Sequence, residues 1–279
     1  MAWRGEVWNG EAGQNGTEQG QTMQHIKVTV ANGVRTVTLA RPEVLNAINP
    51  AMHDELEQAF TAYAAAPDEH ICVITGEGRG FCAGSDLKAA ALEGHRDYPA
   101  HGYAGLIERF DCPKPFIAAV NGLALGGGFE VALACDIVIA AGSASFGLPE
   151  PLVGAIALGG GLHRLARQAP LKQAMGMILA ARRVSAADGF RMGFVTEVVP
   201  DADLADCVAR WCADILKASP MSVRTSKAVV QRGLAEPDVE AAMQAQPGWA
   251  EFQAWRSSED AREGPLAFAE KRAPRWTGR

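Results

Sequence analysis

Two glycine-rich segments could together stabilise negative charge on an oxygen atom. Residues 80–88 have the sequence GFCAGSDLK, residues 121–130 have the sequence NGLALGGGFE, and each segment follows a short apolar run. A glycine turn that begins a helix presents free backbone N–H groups and the positive end of the helix dipole. If the two turns face each other, one oxygen can lie between two N–H donors. Such an oxyanion hole stabilises an enolate or a tetrahedral oxyanion.

Two glutamates accompany these turns. Glu130 closes the second segment, and Glu150 ends the sequence FGLPE at residues 146–150. Two carboxyl groups whose pKa values differ can divide proton transfer between an acid and a base. A glutamate in the first turn of a helix also complements the helix dipole, which is a purely structural role. The residue type alone therefore leaves both roles open for Glu130.

Together these segments resemble the crotonase superfamily, the enoyl-CoA hydratases and isomerases. The resemblance covers the chain from about Ile26 to Arg279. Its first and last elements are RP at 41–42, LNA at 45–47, DAREG at 260–264 and AFAEKR at 267–272. It implies an α/β fold, a crotonase-like spiral of ββα units with a helical C-terminal region that builds homotrimers or homohexamers. The alternative is that the C-terminal helices pack only on their own core.

The resemblance also implies roles for individual residues. The oxyanion donors would be the backbone N–H groups of Ser85 and Gly127, and the acid–base pair would be Glu130 and Glu150. Because a backbone group donates, Ser85 can stand where many relatives have alanine, whereas a side chain at position 127 would crowd the thioester. Further residues match family positions that contact the substrate and its CoA: Ala83, Asp86, Leu87, Lys88, Phe268 and Lys271. Lys88 would meet a phosphate or, alternatively, only solvent.

Both glutamate positions match the hydratases of the family. The implied activity is therefore reversible addition of water to a 2-enoyl-CoA, giving a 3-hydroxyacyl-CoA. An enoyl-CoA isomerase or a carnitinyl-CoA dehydratase-like enzyme is the alternative within enzymes, and a non-catalytic RNA-binding or scaffold protein is the alternative of another class. Residues 91–110 and 154–164 depart from the best-known hydratases. Both stretches are predicted to shape the acyl pocket, so acyl length and branching stay open.

Composition narrows the partners. The 279 residues carry a net charge of −6, which disfavours nucleic acid as a partner. The resemblance implies an acyl-CoA thioester as the substrate. No apolar segment is long enough to cross a membrane. The six cysteines form no CxxC, which favours reduced thiols and a cytoplasmic protein. The six histidines show no metal spacing, and 76–81 fails as a dinucleotide motif, so no cofactor is expected beyond the CoA of the substrate.

The elements that must position these residues follow from turn and capping signals. A hairpin is predicted at 26–30 and 34–39, and a helix from Asn49-Pro50 to about Ala65. Strand, glycine turn and helix then recur twice. Later elements are three helices after 159–161, a strand at 195–199, and helices at 202–219, 221–234, 237–256 and 259–271. Three regions result: a disordered extension at 1–22, an α/β core at 23–200, and a helical oligomerisation region at 201–279.

Overall fold

The computed structural model describes residues 23–93 and 97–279, so the predicted extension at 1–22 lies outside the described residues. The strands are β1 (Ile26–Ala31), β2 (Val34–Leu39), β3 (Ile71–Gly76), β4 (Gly80–Cys82), β5 (Phe116–Val120), β6 (Leu123–Leu125), β7 (Ile137–Ala141), β8 (Ser145–Gly147), β9 (Val184–Ser185) and β10 (Glu197–Val199). The helices are α1 (Pro50–Ala65), α2 (Leu87–Glu93), α3 (Gly127–Ala134), α4 (Gly161–Gln168), α5 (Leu171–Ala180), α6 (Ala186–Met192), α7 (Leu204–Leu216), α8 (Pro220–Gly233), α9 (Val239–Ala245), α10 (Ala250–Ser257) and α11 (Glu259–Ala269).

The strands form two sheets. The larger has the order β1-β2-β3-β5-β7-β10, and the smaller has the order β4-β6-β8-β9. In the larger sheet β1 pairs antiparallel with β2, and every later pairing is parallel. In the smaller sheet β4, β6 and β8 are parallel and β9 is antiparallel to β8. Strands β3, β5 and β7 are almost wholly buried, as expected of parallel strands covered on both faces.

The repeating unit is ββα, as predicted. β3 and β4 precede α2, and β5 and β6 precede α3. β7 and β8 precede a 3-10 turn at Glu150–Val153 and then α4. Each repeat adds one strand to each sheet, which generates the crotonase-like spiral. Because β4, β6 and β8 are parallel neighbours, the turns that follow them meet at one edge of the smaller sheet.

The segment before the first repeat is held by asparagines. Asn49 caps α1, since its side chain accepts a hydrogen bond from the N–H of Met52 at 2.9 Å, and Pro50 occupies the first helical position. Asn46 is fully buried, with a φ of 57°. Its amide donates to the carbonyl of Gly80 at 2.8 Å and to that of Glu77 at 3.0 Å. Asn46 therefore fixes the connection between β3 and β4, which leads into the first glycine turn.

The chain forms two compact units. The first contains the described residues up to Arg109 together with Phe116–Val208, and the second contains Phe110–Pro115 and Ala209–Arg279. Within the second unit the carboxylate of Asp260 is buried and accepts hydrogen bonds from the hydroxyl of Ser219 at 2.7 Å and from the N–H of Thr277 at 2.8 Å. Asp260 thus holds the C-terminal segment to the start of α8.

One predicted helix is wrong in extent. The single helix expected at 237–256 is two helices, α9 and α10, separated by a 3-10 turn at Gln246–Gly248. Pro247 lacks an N–H and lies at the start of that turn, where no helical hydrogen bond is required of it. The other predicted C-terminal helices are present as α7, α8 and α11, and the strand expected at 195–199 is confined to its last three residues.

All six cysteines are buried and none forms a disulfide. In the described part of the chain, no helix combines the length and the apolar character that crossing a membrane requires.

Candidate active site

The two glycine turns touch. A Cβ atom added at Gly84 would lie 3.3 Å from the amide nitrogen of Gly127 and 2.9 Å from the carbonyl oxygen of Leu125. Gly84 has a φ of +96°, a conformation that residues with a side chain rarely adopt. Glycine at position 84 therefore allows the turn after β4 to lie directly against the turn after β6.

Neighbouring hydrogen bonds hold both turns in place. The N–H of Ile48 donates to the carbonyl of Gly84 at 2.8 Å, and the N–H of Asp86 donates to the carbonyl of Ile48 at 2.9 Å. In the second turn the N–H of Gly126 donates to the carbonyl of Gly147 at 2.9 Å.

Two amides in these turns are left unbonded. Within residues 23–93 and 97–279, the N–H groups of Ser85 and Gly127 have no hydrogen-bond acceptor. For Gly127 the reason is its place as the first residue of α3, where a helix has no partner for the N–H. Two free donors from adjacent turns can bind one oxygen and stabilise negative charge on it.

Glu130 lies on α3 in a cradle of glycines. Its side chain is buried, and its Oε1 accepts a hydrogen bond from the N–H of Gly161 at 2.8 Å. A Cβ atom at Gly159 would lie 2.5 Å from Oε2 of Glu130, and a Cβ at Gly161 would lie 2.8 Å from Oε1. The glycine run at 159–161, expected to shape the acyl pocket, is the wall that seats this carboxylate.

The surroundings of Glu130 favour its protonated form. Burial raises the pKa of Glu130 to about 7, and the hydrogen bond from Gly161 opposes this rise. The negative charge of Glu150 raises the pKa of Glu130 further, so the two carboxyl groups interact. A carboxyl group whose pKa lies near neutral can both give and accept a proton at physiological pH.

Glu150 follows β8 at the start of the 3-10 turn. Its Oε1 lies 3.0 Å from the position that a Cβ of Gly126 would occupy, so the carboxylate packs against the second glycine turn. Its Oε2 is buried and has no hydrogen-bond partner among the described residues. Burial raises the pKa of Glu150 as well. A buried carboxylate oxygen without a partner is costly and is expected to meet a water molecule or a substrate atom.

Four of the residues predicted to line the CoA path lie at the start of α2 or just before it. Ala83 is half-buried, and its N–H donates to the carbonyl of Leu45 at 3.0 Å. Asp86 bonds the N–H of Ala89 at 3.1 Å and pairs with Arg41 at 3.0 Å, which gives this aspartate a structural role. Leu87 and Lys88 are exposed.

Phe268 and Lys271 belong to the second unit. Phe268, near the end of α11, has an exposed fraction of 88%, and Lys271 follows in a left-handed conformation with a φ of 54°. The first unit therefore brings together Ser85, Gly127, Glu130 and Glu150, whereas these two residues belong to a separate group of elements.

Sequence reasoning missed Tyr103. This residue lies in a 3-10 turn at Tyr103–Gly105, is 2% exposed, and accepts a hydrogen bond from the Ser85 hydroxyl at 3.2 Å. A Cβ atom at Gly127 would overlap its ring and hydroxyl. The neighbour that requires glycine at position 127 in this structure is thus Tyr103, where the sequence had suggested the thioester. In the sequence, Tyr103 lies within residues 91–110, a stretch that departs from the best-known hydratases.

No group of three or more His, Cys, Asp or Glu side chains is placed to hold a metal ion in the described ranges.

Two sheets that each gain one strand per ββα repeat, with the turns of three repeats meeting at one edge, define the crotonase fold. Comparison with known proteins supports this fold. The sequence model of the enoyl-CoA hydratase/isomerase family matches residues 29–279. A crystal structure of enoyl-CoA hydratase from Mycobacterium tuberculosis H37Rv matches with a TM-score of 0.86 at 33% identity, covering 91% of this chain and 99% of that chain.

Curated relatives share more of the sequence. Carnitinyl-CoA dehydratase of Proteus mirabilis (strain HI4320) is 39% identical over 262 residues, which are 92% of this chain and 99% of that protein. Carnitinyl-CoA dehydratase of Escherichia coli (strain K12) is 38% identical over 261 residues, with the same coverage of both chains. The chain belongs to the enoyl-CoA hydratase/isomerase family.

Proposed function

We propose that the protein is an enoyl-CoA hydratase, which adds water reversibly to a 2-enoyl-CoA and gives a 3-hydroxyacyl-CoA. The observation that carries this proposal is the pair of interacting glutamates, Glu130 and Glu150, beside the two unbonded N–H groups of Ser85 and Gly127. Hydration needs these parts together: a place for negative charge, a group that accepts a proton, and a group that donates one.

One carboxylate accepts a proton from water while the water oxygen bonds to C3 of the enoyl group. The electron pair of the C2–C3 double bond moves toward the thioester, whose oxygen becomes negative and is bound by the N–H groups of Ser85 and Gly127. The other glutamate, in its carboxylic acid form, donates its proton to C2. Water is thereby added in full, and proton exchange between the glutamates and solvent restores the starting state.

The raised pKa of Glu130 supports this division of work. At neutral pH a pair of interacting carboxyl groups with raised pKa values can hold one proton between them. One member is then the base and the other the acid. The proton belongs to the pair of glutamates. The glutamate that acts as the acid in hydration acts as the base in dehydration, and the other glutamate does the opposite.

Dehydration of carnitinyl-CoA is the second candidate function. The curated relatives at 38–39% identity carry that name, and carnitinyl-CoA is itself a 3-hydroxyacyl-CoA. The same two glutamates and the same oxyanion site would serve this reaction in the dehydration direction. Isomerisation of a double bond needs one proton-transfer group, so it leaves Glu150, with its buried and unpartnered Oε2, without a role.

For the CoA moiety we propose the region where α2 begins. Ala83 and Leu87 would flank the pantetheine chain, Asp86 would hold the turn through Arg41, and the exposed Lys88 would meet a phosphate. Phe268 and Lys271 are proposed to reach a CoA from the C-terminal region, in the same subunit or in another one.

A panel of acyl-CoA thioesters tests the function. Short, long, branched and aromatic 2-enoyl-CoA substrates are followed by loss of the enone absorbance, and carnitinyl-CoA is followed by its appearance. Hydratase activity predicts 3-hydroxyacyl-CoA as product, whereas a shifted double bond without added water would show an isomerase. Turnover of none of them, together with a salt-dependent gel shift of RNA, would favour a non-catalytic member of the fold.

A further inference from the structure

The segment that carries Tyr103 is built to hold one position. Gly102, Ala104 and Gly105 all have positive φ values, of 74°, 56° and 62°. A left-handed alanine is unfavourable and persists only where the surrounding structure requires it. The N–H of Ala104 donates to Nδ1 of His53 at 2.9 Å, which ties this alanine to α1.

The same segment is clamped to α1 on its other side. Glu57 accepts hydrogen bonds from Nδ1 of His101 at 2.6 Å and from the guanidinium of Arg109 at 3.1 Å. A Cβ atom at Gly105 would lie 2.5 Å from Cα of Glu57, so the backbones are in direct contact. Contacts on both sides of Tyr103 therefore fix the backbone that presents it.

The ring of Tyr103 is equally fixed. It packs edge-on against the imidazole of His53, with ring centroids 4.6 Å apart, and against Tyr98 at 5.4 Å. The ring directs its hydroxyl to the meeting point of the two glycine turns, between Ser85 and Gly127. A rigid side chain thus brings a polar group next to the two residues whose backbone N–H groups are unbonded.

The hydroxyl of Tyr103 is neutral and keeps a proton to donate. Burial raises the pKa of Tyr103 well above its ordinary value, and the nearby Glu130 charge acts in the same direction. The hydroxyl oxygens of Ser85 and Tyr103 lie 3.2 Å apart, and a serine hydroxyl can donate this hydrogen bond, which leaves the tyrosine proton for a substrate oxygen. A neutral phenol in a buried site is a strong hydrogen-bond donor to developing negative charge.

We propose that the hydroxyl of Tyr103 is a third donor in the oxyanion site, which bonds the thioester oxygen of the substrate alongside the N–H groups of Ser85 and Gly127. Ser85 then acts twice: its N–H binds the oxygen, and its hydroxyl orients the phenol. The Ser85 side chain is then not freely replaceable by alanine, because its hydroxyl has a positioning role. This inference rests on the proposed acyl-CoA function.

The test compares three variants, Tyr103→Phe, Ser85→Ala and the double variant. Tyr103→Phe keeps the ring and removes only the hydroxyl. It should lower kcat roughly 10- to 100-fold, since one hydrogen bond to a charged group typically contributes that much. Ser85→Ala should cost less, and the double variant should match Tyr103→Phe, because the serine hydroxyl acts through the tyrosine.

The matched control is Tyr63→Phe. Tyr63 on α1 is also fully buried, and its ring centroid lies 5.2 Å from that of Phe116 on β5. Removing its hydroxyl should leave kcat unchanged. The melting temperature of each variant separates loss of chemistry from loss of folding.

A spectroscopic measurement makes the inference independent of turnover. Acetoacetyl-CoA is an enolisable thioester whose enolate absorbs in the near ultraviolet, and oxyanion donors should increase the enolate fraction when it is bound. Tyr103→Phe should shift enolate formation to higher pH by about one to two units, the same 10- to 100-fold effect.

The two proposals fail differently. A wild-type protein that forms the bound enolate but hydrates no enoyl-CoA would overturn the hydratase and leave the Tyr103 donor supported by a shift in the variant. An unchanged enolate signal and unchanged kcat in Tyr103→Phe would overturn the donor. It would also be overturned by a wild-type protein that forms no enolate from acetoacetyl-CoA, or by a rise in kcat on loss of the hydroxyl, which would show an obstructing ring.

Discussion

At the scale of single residues, the site is defined by polar groups that the fold leaves without partners. Burial raises the pKa of Glu130 to about 7. One oxygen of Glu150 and the backbone N–H groups of Ser85 and Gly127 have no hydrogen-bond partner in the described structure. A buried group of this kind costs folding free energy unless water or a ligand satisfies it. Their convergence within one unit is the reason to assign them to catalysis.

The glutamate roles are tested by removing ionisation while keeping shape. Glu130→Gln and Glu150→Gln should each lower kcat by roughly 100-fold or more, the usual contribution of general acid–base catalysis, while acyl-CoA binding persists. Steady-state kinetics and calorimetric binding measure the two effects. Glu251→Gln is the matched control, because Glu251 also has a buried oxygen without a partner in the described residues but lies on α10. Near wild-type turnover in either of the first two variants would remove that glutamate from the mechanism.

The raised pKa of Glu130 also predicts a pH-dependent stability. Its carboxyl binds a proton more tightly in the folded protein, with a pKa of about 7, than in the unfolded chain, where 4.5 is ordinary. The folded state is therefore destabilised progressively between these pH values, by about 3 kcal/mol at most above pH 7. Glu130→Gln removes this cost.

Chemical denaturation at two pH values checks this expectation. The free energy of unfolding of Glu130→Gln should exceed that of the wild type at pH 8, and the difference should shrink toward pH 5. An equal difference at both pH values would show that the effect comes from packing alone.

Sequence reasoning proposed those candidate site residues that belong to compact motifs. Ser85, Gly127, Glu130 and Glu150 each follow a glycine or proline turn, and the structure brings them into one unit. Tyr103 carries no such local signal. Its position depends on the hydrogen bond from the N–H of Ala104 to His53 and on the contact between His101 and Glu57, and both partners on α1 are distant in sequence. Roles that arise from tertiary contacts alone could not be inferred from spacing.

At the scale of elements, short strands do most of the positioning. β4, β6 and β8 have three residues each, too few for a periodic pattern, and the sequence had shown only turns at these places. The longer strands β3 and β5 are predicted from the sequence because their apolar runs are continuous. The division of the helix expected at 237–256 has a cause visible in the sequence, Pro247-Gly248.

The glycine cradle provides a test at this scale. Gly159→Ala should lower kcat at least 10-fold, because its Cβ would lie 2.5 Å from Oε2 of Glu130 and displace a carboxylate that must be held within about 0.5 Å. Gly176→Ala is the matched control. Gly176 lies on α5, where an added Cβ meets nothing within 4 Å, so this change should leave kcat intact and stabilise the helix by up to about 1 kcal/mol.

The kcat and the melting temperature of the two variants are measured to test whether the glycines position Glu130. If Gly159→Ala kept wild-type kcat with an unchanged melting temperature, the cradle would not position Glu130.

At the scale of the whole molecule, one stretch of the chain exposes four large apolar side chains. Leu152, Val153, Ile156 and Leu158 follow Glu150 and have exposed fractions of 62% to 75%. Apolar side chains clustered on a surface usually mark a contact with another chain. We propose that copies of this chain associate through such surfaces as a homotrimer or as a homohexamer.

Light scattering measures the mass directly. The expected mass is three or six times the 29.5 kDa of one chain. Leu158→Asp should lower that mass or weaken the association, because it places a charge in an apolar contact. A monomeric wild-type protein at micromolar concentration would contradict the assembly.

The order of strands in the larger sheet has a consequence for synthesis of the chain. β7 pairs with β5, which precedes it, and with β10, which the ribosome completes only after α4, α5 and α6. Until then β7 is an open edge of buried, apolar character, the kind of edge that templates aggregation. The growing chain therefore passes through a vulnerable interval that ends when residue 199 emerges. Chaperone supply and translation speed in that interval should govern how much active protein a cell obtains.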